Sequence, residues 1–194
     1  MGQRGARGGF QHSLKKGANA NPVEKEKKVD INEKRFEKLF TYSCEKTKNK
    51  NISAVDLNPL NPDLLVACYG GYCVEQPEEG MICLWTLKSP KYPERIIKTP
   101  TRLTSCKFSA RNPNLVATGD YDGVIAIYDI RSAGNKPVID SRDCKDKHID
   151  VVWEVQWISK GTQDNLVSIS SDGRIVEWTM KKKLESSDLM QLKR

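Results

Sequence analysis

Long apolar runs are missing from this sequence. No stretch approaches the roughly 18 apolar residues a membrane helix needs, and no apolar core follows the N-terminal basic residues to make a signal peptide. A soluble intracellular protein with no membrane partner is expected. Histidine is scarce, at two residues, and the six cysteines (Cys44, Cys68, Cys73, Cys83, Cys106, Cys144) form no C-x-x-C pair. Cys68 and Cys73, five apart, therefore read as buried, reduced thiols rather than metal ligands. A Walker-type Gly-Lys-Ser/Thr loop, H-E-x-x-H and G-x-S-x-G are also absent. Enzyme chemistry has no motif to rest on, and no cofactor is expected. Asn51-Ile52-Ser53 matches a glycosylation sequon, which without a secretory signal has no route to the modifying enzyme.

The charge is not spread evenly along the chain. Residues 1–50 hold thirteen Lys/Arg against six Asp/Glu, whereas residues 51–194 hold nineteen of each, so the net +7 belongs to the first quarter. Residues 1–28 join the Arg-Gly run Arg4-Gly5-Ala6-Arg7-Gly8-Gly9 to Lys15, Lys16, Lys25, Lys27 and Lys28, with almost no bulky apolar residue. Such a segment cannot offset its ordering entropy and is expected to be a disordered basic tail. In residues 29–50, Asp30 and Glu33 have capping-box spacing, and Phe36, Leu39 and Phe40 fall on one face of a helix that would follow. A short helix and linker are expected there.

From Asn51 onward the pattern changes to short alternating or apolar runs broken by Asn-Pro, Gly-Gly and Asp-Gly, the signature of strands and tight turns. These runs repeat. Ser53-Ala54-Val55-Asp56-Leu57 and Asn61-Pro62-Asp63-Leu64-Leu65-Val66-Ala67 align at a constant offset of 51 with Thr104-Ser105-Cys106-Lys107-Phe108 and Asn112-Pro113-Asn114-Leu115-Val116-Ala117. A third copy runs from Trp153-Glu154-Val155-Gln156-Trp157 to Asn165-Leu166-Val167-Ser168. Each unit ends on an aromatic five residues after a turn glycine: Gly80 to Trp85, Gly123 to Tyr128, Gly173 to Trp178. Periods of this length with about four strands each suit propeller blades. The fold class expected is therefore all-β, an incomplete propeller of about three four-stranded blades over residues 51–194.

The third unit resembles a WD repeat, with His148, Val152, Val155 and Trp157 followed by Ser170-Ser171-Asp172-Gly173-Arg174-Ile175-Val176-Glu177-Trp178. The resemblance implies a structural network of loop His, turn Asp, strand Ser or Thr and strand Trp. His148, Asp172 and Trp178 match three of these places, and Ser168 and Ser170 compete for the fourth. A catalytic His148–Asp172 dyad would need a nucleophile and a pocket, so the structural role is the stronger expectation. The second unit has Tyr128 for Trp and lacks the His, and the first has Glu79 for the turn Asp, so neither is expected to complete the network. The first unit also carries an insertion, Tyr69 to Glu79. Its length exceeds a hairpin turn, which makes Tyr69, Tyr72, Glu75, Gln76 and Glu78 candidate partner contacts.

Larger blocks are more specific: Asn61-Pro62-Asp63-Leu64-Leu65-Val66-Ala67-Cys68-Tyr69-Gly70, Gly80-Met81-Ile82-Cys83-Leu84-Trp85-Thr86-Leu87-Lys88-Ser89-Pro90, Gly119-Asp120-Tyr121-Asp122-Gly123 and Val152-Trp153-Glu154-Val155-Gln156-Trp157. In combination, over roughly residues 36–194, they resemble the WD-repeat domain of axonemal dynein intermediate chains. That family implies a non-catalytic scaffold that docks on a dynein heavy chain, with other dynein arm subunits as partners, located in the cytoplasm and in the cytoskeleton of a cilium or flagellum axoneme. Light-chain binding is not implied, because the N-terminal segment is far shorter than the region that carries it in the family. With three blades against a ring of about seven, an open sector is expected. The alternative is an RNA-associated WD-repeat scaffold using the Arg-Gly tail on phosphate; with Phe10 the only aromatic before Phe36, nucleic acid is the weaker partner.

Overall fold

A computed structural model describes residues 36–70, 79–161, 163–181 and 183–192. Residues 38–194 cluster as one unit, and residues 1–37 as another. The expected tail over residues 1–28 lies outside the described residues.

Three four-stranded antiparallel sheets fill the larger unit, each a simple meander in chain order. Sheet 1 holds β1 (Ile52–Leu57), β2 (Leu64–Tyr69), β3 (Gly80–Thr86) and β4 (Arg95–Thr99). Sheet 2 holds β5 (Leu103–Phe108), β6 (Leu115–Asp120), β7 (Ile125–Asp129) and β8 (Ile139–Asp140). Sheet 3 holds β9 (Val152–Lys160), β10 (Gln163–Ser170), β11 (Arg174–Met180) and β12 (Leu184–Gln191). Strands β2, β3 and β7 are almost continuous apolar runs because both of their faces are covered, and β6 is buried along nearly its whole length although it ends on Thr118, Gly119 and Asp120. β10 instead alternates, burying Leu166, Ser168 and Ser170 while Ile169 is exposed.

The repeat extends to the hydrogen-bond register. The first pair of each sheet is Ile52↔Tyr69, Leu103↔Asp120 or Val152↔Ser170, and the register shifts directly after it in all three. A bulge at the same step bends each first strand in the same way. The Asn-Pro turns repeat too. Asn58 Oδ1 accepts the amides of Leu60 and Asn61, and Ser109 Oγ accepts that of Asn112. Turns β6–β7 and β10–β11 use Gly123 at φ +77° and Gly173 at φ +82°, a conformation that only glycine adopts readily. A Cβ on Gly123 would also lie 2.4 Å from the His148 carbonyl oxygen of the loop before sheet 3.

Successive sheets pack face to face with β1, β5 and β9 side by side. Val66, Cys68, Ile82, Leu84 and Ile97 of sheet 1 meet Leu103, Cys106, Phe108, Val116 and Tyr128 of sheet 2. Ala117, Ile125 and Ile127 of sheet 2 meet Val152, Val155, Leu166, Val176 and Trp178 of sheet 3. Each fully buried Ile or Leu contributes about 1.5–3 kcal/mol. Polar latches fix the angle between sheets: Asp56 Oδ2 accepts the Phe108 amide at 2.8 Å, Asn58 Nδ2 donates to Pro113 O at 2.7 Å, and Trp157 Nε1 donates to Lys107 O at 3.0 Å.

The remaining face of sheet 1 is covered by a strap, residues 38–50. Tyr42 and Cys44 pack against Ala67, Tyr69, Cys83 and Trp85, much as Ile139 and Cys144 pack against the core around Trp178. Here the short helix expected within residues 29–50 is corrected over its described part, residues 29–35 lying outside the described residues. Residues 36–44 are not helical, and a 3-10 turn at Glu45–Thr47 is the only helical element among the described residues. Tyr42 and Cys44, two apart, both face the sheet, which is an extended period rather than a helical one. Phe36 and Leu39, expected on the buried side of a helix, are exposed.

Candidate functional site

The residues singled out in the third repeat converge at the edge of sheet 3. His148 lies in the loop before β9, Ser168 on β10, Asp172 in the β10–β11 turn and Trp178 on β11, cross-strand from Leu166. The Trp178 indole N–H donates to Ser168 Oγ at 2.8 Å, Ser168 Oγ lies 2.8 Å from His148 Nε2, and His148 Nδ1 lies 2.8 Å from Asp172 Oδ2. With Nδ1 protonated, every hydrogen in the chain has one acceptor: indole to hydroxyl, hydroxyl to imidazole, imidazole to carboxylate. Asp172 also accepts the amides of Ile149 and Arg174, at 3.3 and 2.9 Å. Burial pushes the Asp172 carboxyl up, but the His148 hydrogen bond and these amides outweigh it and hold the carboxyl below the usual range.

Ser170 sits outside this chain. Its hydroxyl donates to Asp150 O at 3.0 Å and accepts the Asp172 amide at 3.2 Å, so it ties the turn to the β9 loop.

A serine, a histidine and an aspartate in line have the composition of a hydrolytic triad. The geometry is that of a core bond chain instead. Ser168 is 1% exposed and His148 fully buried, and the would-be nucleophile already accepts the Trp178 indole proton. Buried polar groups satisfied in this way rigidify the elements they join.

The other two sheets solve the same position differently. Strand register puts Thr118 and Ala67 where Ser168 stands, and Tyr128 and Trp85 where Trp178 stands. Thr118 Oγ1 donates to Ala126 O at 3.2 Å. Ala67 has no hydroxyl, and the buried Trp85 indole N–H has no partner within hydrogen-bond geometry among the described residues. In sheet 2 the turn is closed by Asp120, which the sequence reading did not single out. Its Oδ1 accepts the amides of Asp122 and Val124 at 3.0 and 2.8 Å, while Asp122 Oδ2 accepts the Thr101 hydroxyl at 3.0 Å. Burial raises the Asp120 carboxyl to about 6, against the opposing pull of the Val124 amide. Its place two residues before Asp122 was the available signal.

Of the candidate contact loop, Tyr72, Glu75, Gln76 and Glu78 lie outside the described residues. Tyr69 belongs to β2 rather than to a loop and is 3% exposed, so it is corrected to a core residue. Cys68, Cys83 and Cys106 are free and buried, and burial pushes the Cys83 thiol up to about 12. Among the described residues, no three His, Cys, Asp or Glu side chains gather as metal ligands.

Comparison with known proteins gives a consistent set of relatives. Dynein axonemal intermediate chain 4 from Homo sapiens is 43% identical over 166 residues, 82% of this chain and 20% of the relative. The Xenopus laevis protein of that name is 38% identical over 187 residues, 90% of this chain and 25% of the relative. Dynein axonemal intermediate chain 1 from Bos taurus is 34% identical over 158 residues, 80% of this chain and 22% of the relative. The chain thus spans about a fifth to a quarter of the length of these curated relatives. No family model matches.

Proposed function

We propose that this chain, homologous to axonemal dynein intermediate chains over about four fifths of its own length, forms consecutive blades of a WD-repeat propeller and serves as a non-catalytic scaffold. Its partner in this reading is a dynein heavy chain, with other dynein arm subunits beside it, in the axoneme of motile cilia or flagella. The observation that carries the reading is the repeated register. Three sheets of the same order share a bulge at the same step and an aromatic at the same cross-strand place, as units of one radial array do.

A scaffold role fits how the polar groups are used. The Ser168–His148–Asp172 chain lies inside sheet 3 and ties the loop before β9 to the β10–β11 turn, so that loop and turn are held rigidly as a contact surface. A pull-down from ciliary extract with the full chain as bait tests the proposal. Dynein heavy chains, identified by mass spectrometry, are the expected catch. Ribonuclease-sensitive recovery of ribonucleoproteins without heavy chain would replace this reading with an RNA-associated scaffold.

A further inference from the structure

One position recurs where β3, β7 and β11 begin, at the junction of each sheet with the segment before it. At the junction of sheets 2 and 3 it is filled: the Arg174 guanidinium donates to Asp146 O and Lys147 O at 3.3–3.4 Å and to Asp188 Oδ1 at 2.5 Å. At the junction of sheets 1 and 2, Thr101 and Asp122 are hydrogen-bonded and Arg102 lies 5.2 Å over the Tyr121 ring. At the junction of the strap with sheet 1, strand register puts Met81 where Arg174 stands, four residues before the aromatic. A cavity of about 280 Å³ opens there, lined by Lys46, Lys50 and Lys98 with Glu79, Gly80 and Met81.

The cavity is built rather than accidental. Lys46 rides on the 3-10 turn, which the Thr47 hydroxyl pins by donating to Cys44 O and accepting the Cys44 amide, both at 3.0 Å. Lys98 is on β4, paired with Met81. Gly80 packs so closely that a Cβ would fall 2.4 Å from Thr101 O and 2.5 Å from Thr99 Oγ1. Three lysines therefore line one cavity with a single carboxylate among its described lining residues, and none of the three makes an ion pair or side-chain hydrogen bond with another described residue. Like charges held together in this way favour an anion between them.

We propose that this cavity is the docking site for an acidic segment of a partner protein, with one carboxylate side chain seated among Lys46, Lys50 and Lys98. A peptide suits it better than a nucleic acid. Among the described residues no aromatic side chain lines it to stack a base, Glu79 opposes a continuous phosphodiester, and Met81 offers an apolar contact. The inference stands on this cavity alone and does not depend on the motor reading.

The test is lysine acetylation footprinting of the full chain, with and without a fluorescein-labelled decapeptide of alternating Glu and Gly. Lys46, Lys50 and Lys98 are expected to be protected while the surface residues Lys88 and Lys136 are not. The triple variant Lys46→Gln, Lys50→Gln, Lys98→Gln is expected to weaken peptide binding on the order of tenfold, and the corresponding triple Arg variant to retain it. Thermal melts of both variants control for folding. Protection confined to Lys15, Lys16, Lys25, Lys27 and Lys28 would overturn the proposal, as would an unchanged affinity in the Gln variant. A single-stranded oligonucleotide that protects the three lysines at lower concentration than the peptide would also overturn it.

Discussion

Trp85 and Trp178 occupy the same cross-strand place and differ by one atom two residues from their partner leucines. Ser168 gives Trp178 an acceptor, whereas Ala67 gives the Trp85 indole none and no other described residue supplies one. An unpaired buried N–H costs about 1–3 kcal/mol, so the burden of holding sheet 3 together rests on a chain in which each member satisfies the next. His148→Ala strands the Ser168 hydroxyl and Asp172, and Asp172→Ala strands His148. Each is expected to cost about 1–3 kcal/mol, but the double variant should cost clearly less than their sum, because the second change removes what the first has already broken. Urea denaturation of the two singles and the double measures this, and simple additivity would show that the contacts carry no joint energy. His148, Asp172 and Trp178 could be picked out from spacing alone because the turn Asp-Gly and the strand Trp lie at fixed steps. Ser168 and Ser170 could not be separated that way. Two apart on one strand, they share a face, and only the partners across the register distinguish them.

At the scale of the element, strand positions were readable and their surroundings were not. The strand motifs begin near Ile52, Leu103 and Val152, where β1, β5 and β9 begin, because apolar runs between Asn-Pro and Asp-Gly leave little freedom. Phe36, Leu39 and Phe40 mimic a helical stripe, but the described part of that segment is not an α-helix and the side chains that dock are Tyr42 and Cys44; tertiary packing decides the segment. The β6–β7 turn held a further surprise in Asp120. Its folded carboxyl titrates at about 6, above the ordinary 3.8, so the folded state binds the proton more tightly. The contribution of this group is thus fully present below pH 3.8 and is lost as pH rises through 6. Asp120→Asn keeps a carbonyl oxygen for both turn amides, which bond the same Oδ1, and removes the titration. Relative to wild type, the variant is expected to gain up to about 3 kcal/mol between pH 4 and pH 8. Thermal melts across that range check it, and a constant gap between the two proteins would show that Asp120 does not titrate in the fold as its burial requires.

For the whole molecule, the decisive comparison is between the two outer faces of the stack. The strap covers that of sheet 1 with Tyr42, whose ring lies 5.5 Å from Trp85. On sheet 3 the corresponding face carries Ile158 at 38% and Ile169 at 44% exposure, with Met190 at 53% and partly buried Val167 and Ile175 beside them. Register places these on one side of the sheet, since Ile158 pairs with Asn165, and Ile169 with Ile175, which pairs in turn with Met190. Glu177, bonded to Lys160 and Asn165, is the polar guard among them. A flat β surface of this kind is an association site in a protein stacked from repeats, where each unit ordinarily buries one face against the next. The isolated 194-residue chain is therefore expected to self-associate as its concentration rises. Ile158→Lys with Ile169→Lys should shift it toward monomer with little loss of stability, because both side chains are already partly in water and lie outside the core around Leu166 and Trp178. Multi-angle light scattering across a dilution series, with hydrophobic dye binding alongside, makes the measurement. A dilution-insensitive monomer that binds no dye would mean that this face is covered from within the chain, and the stack would then have to close in a way that three successive sheets do not require.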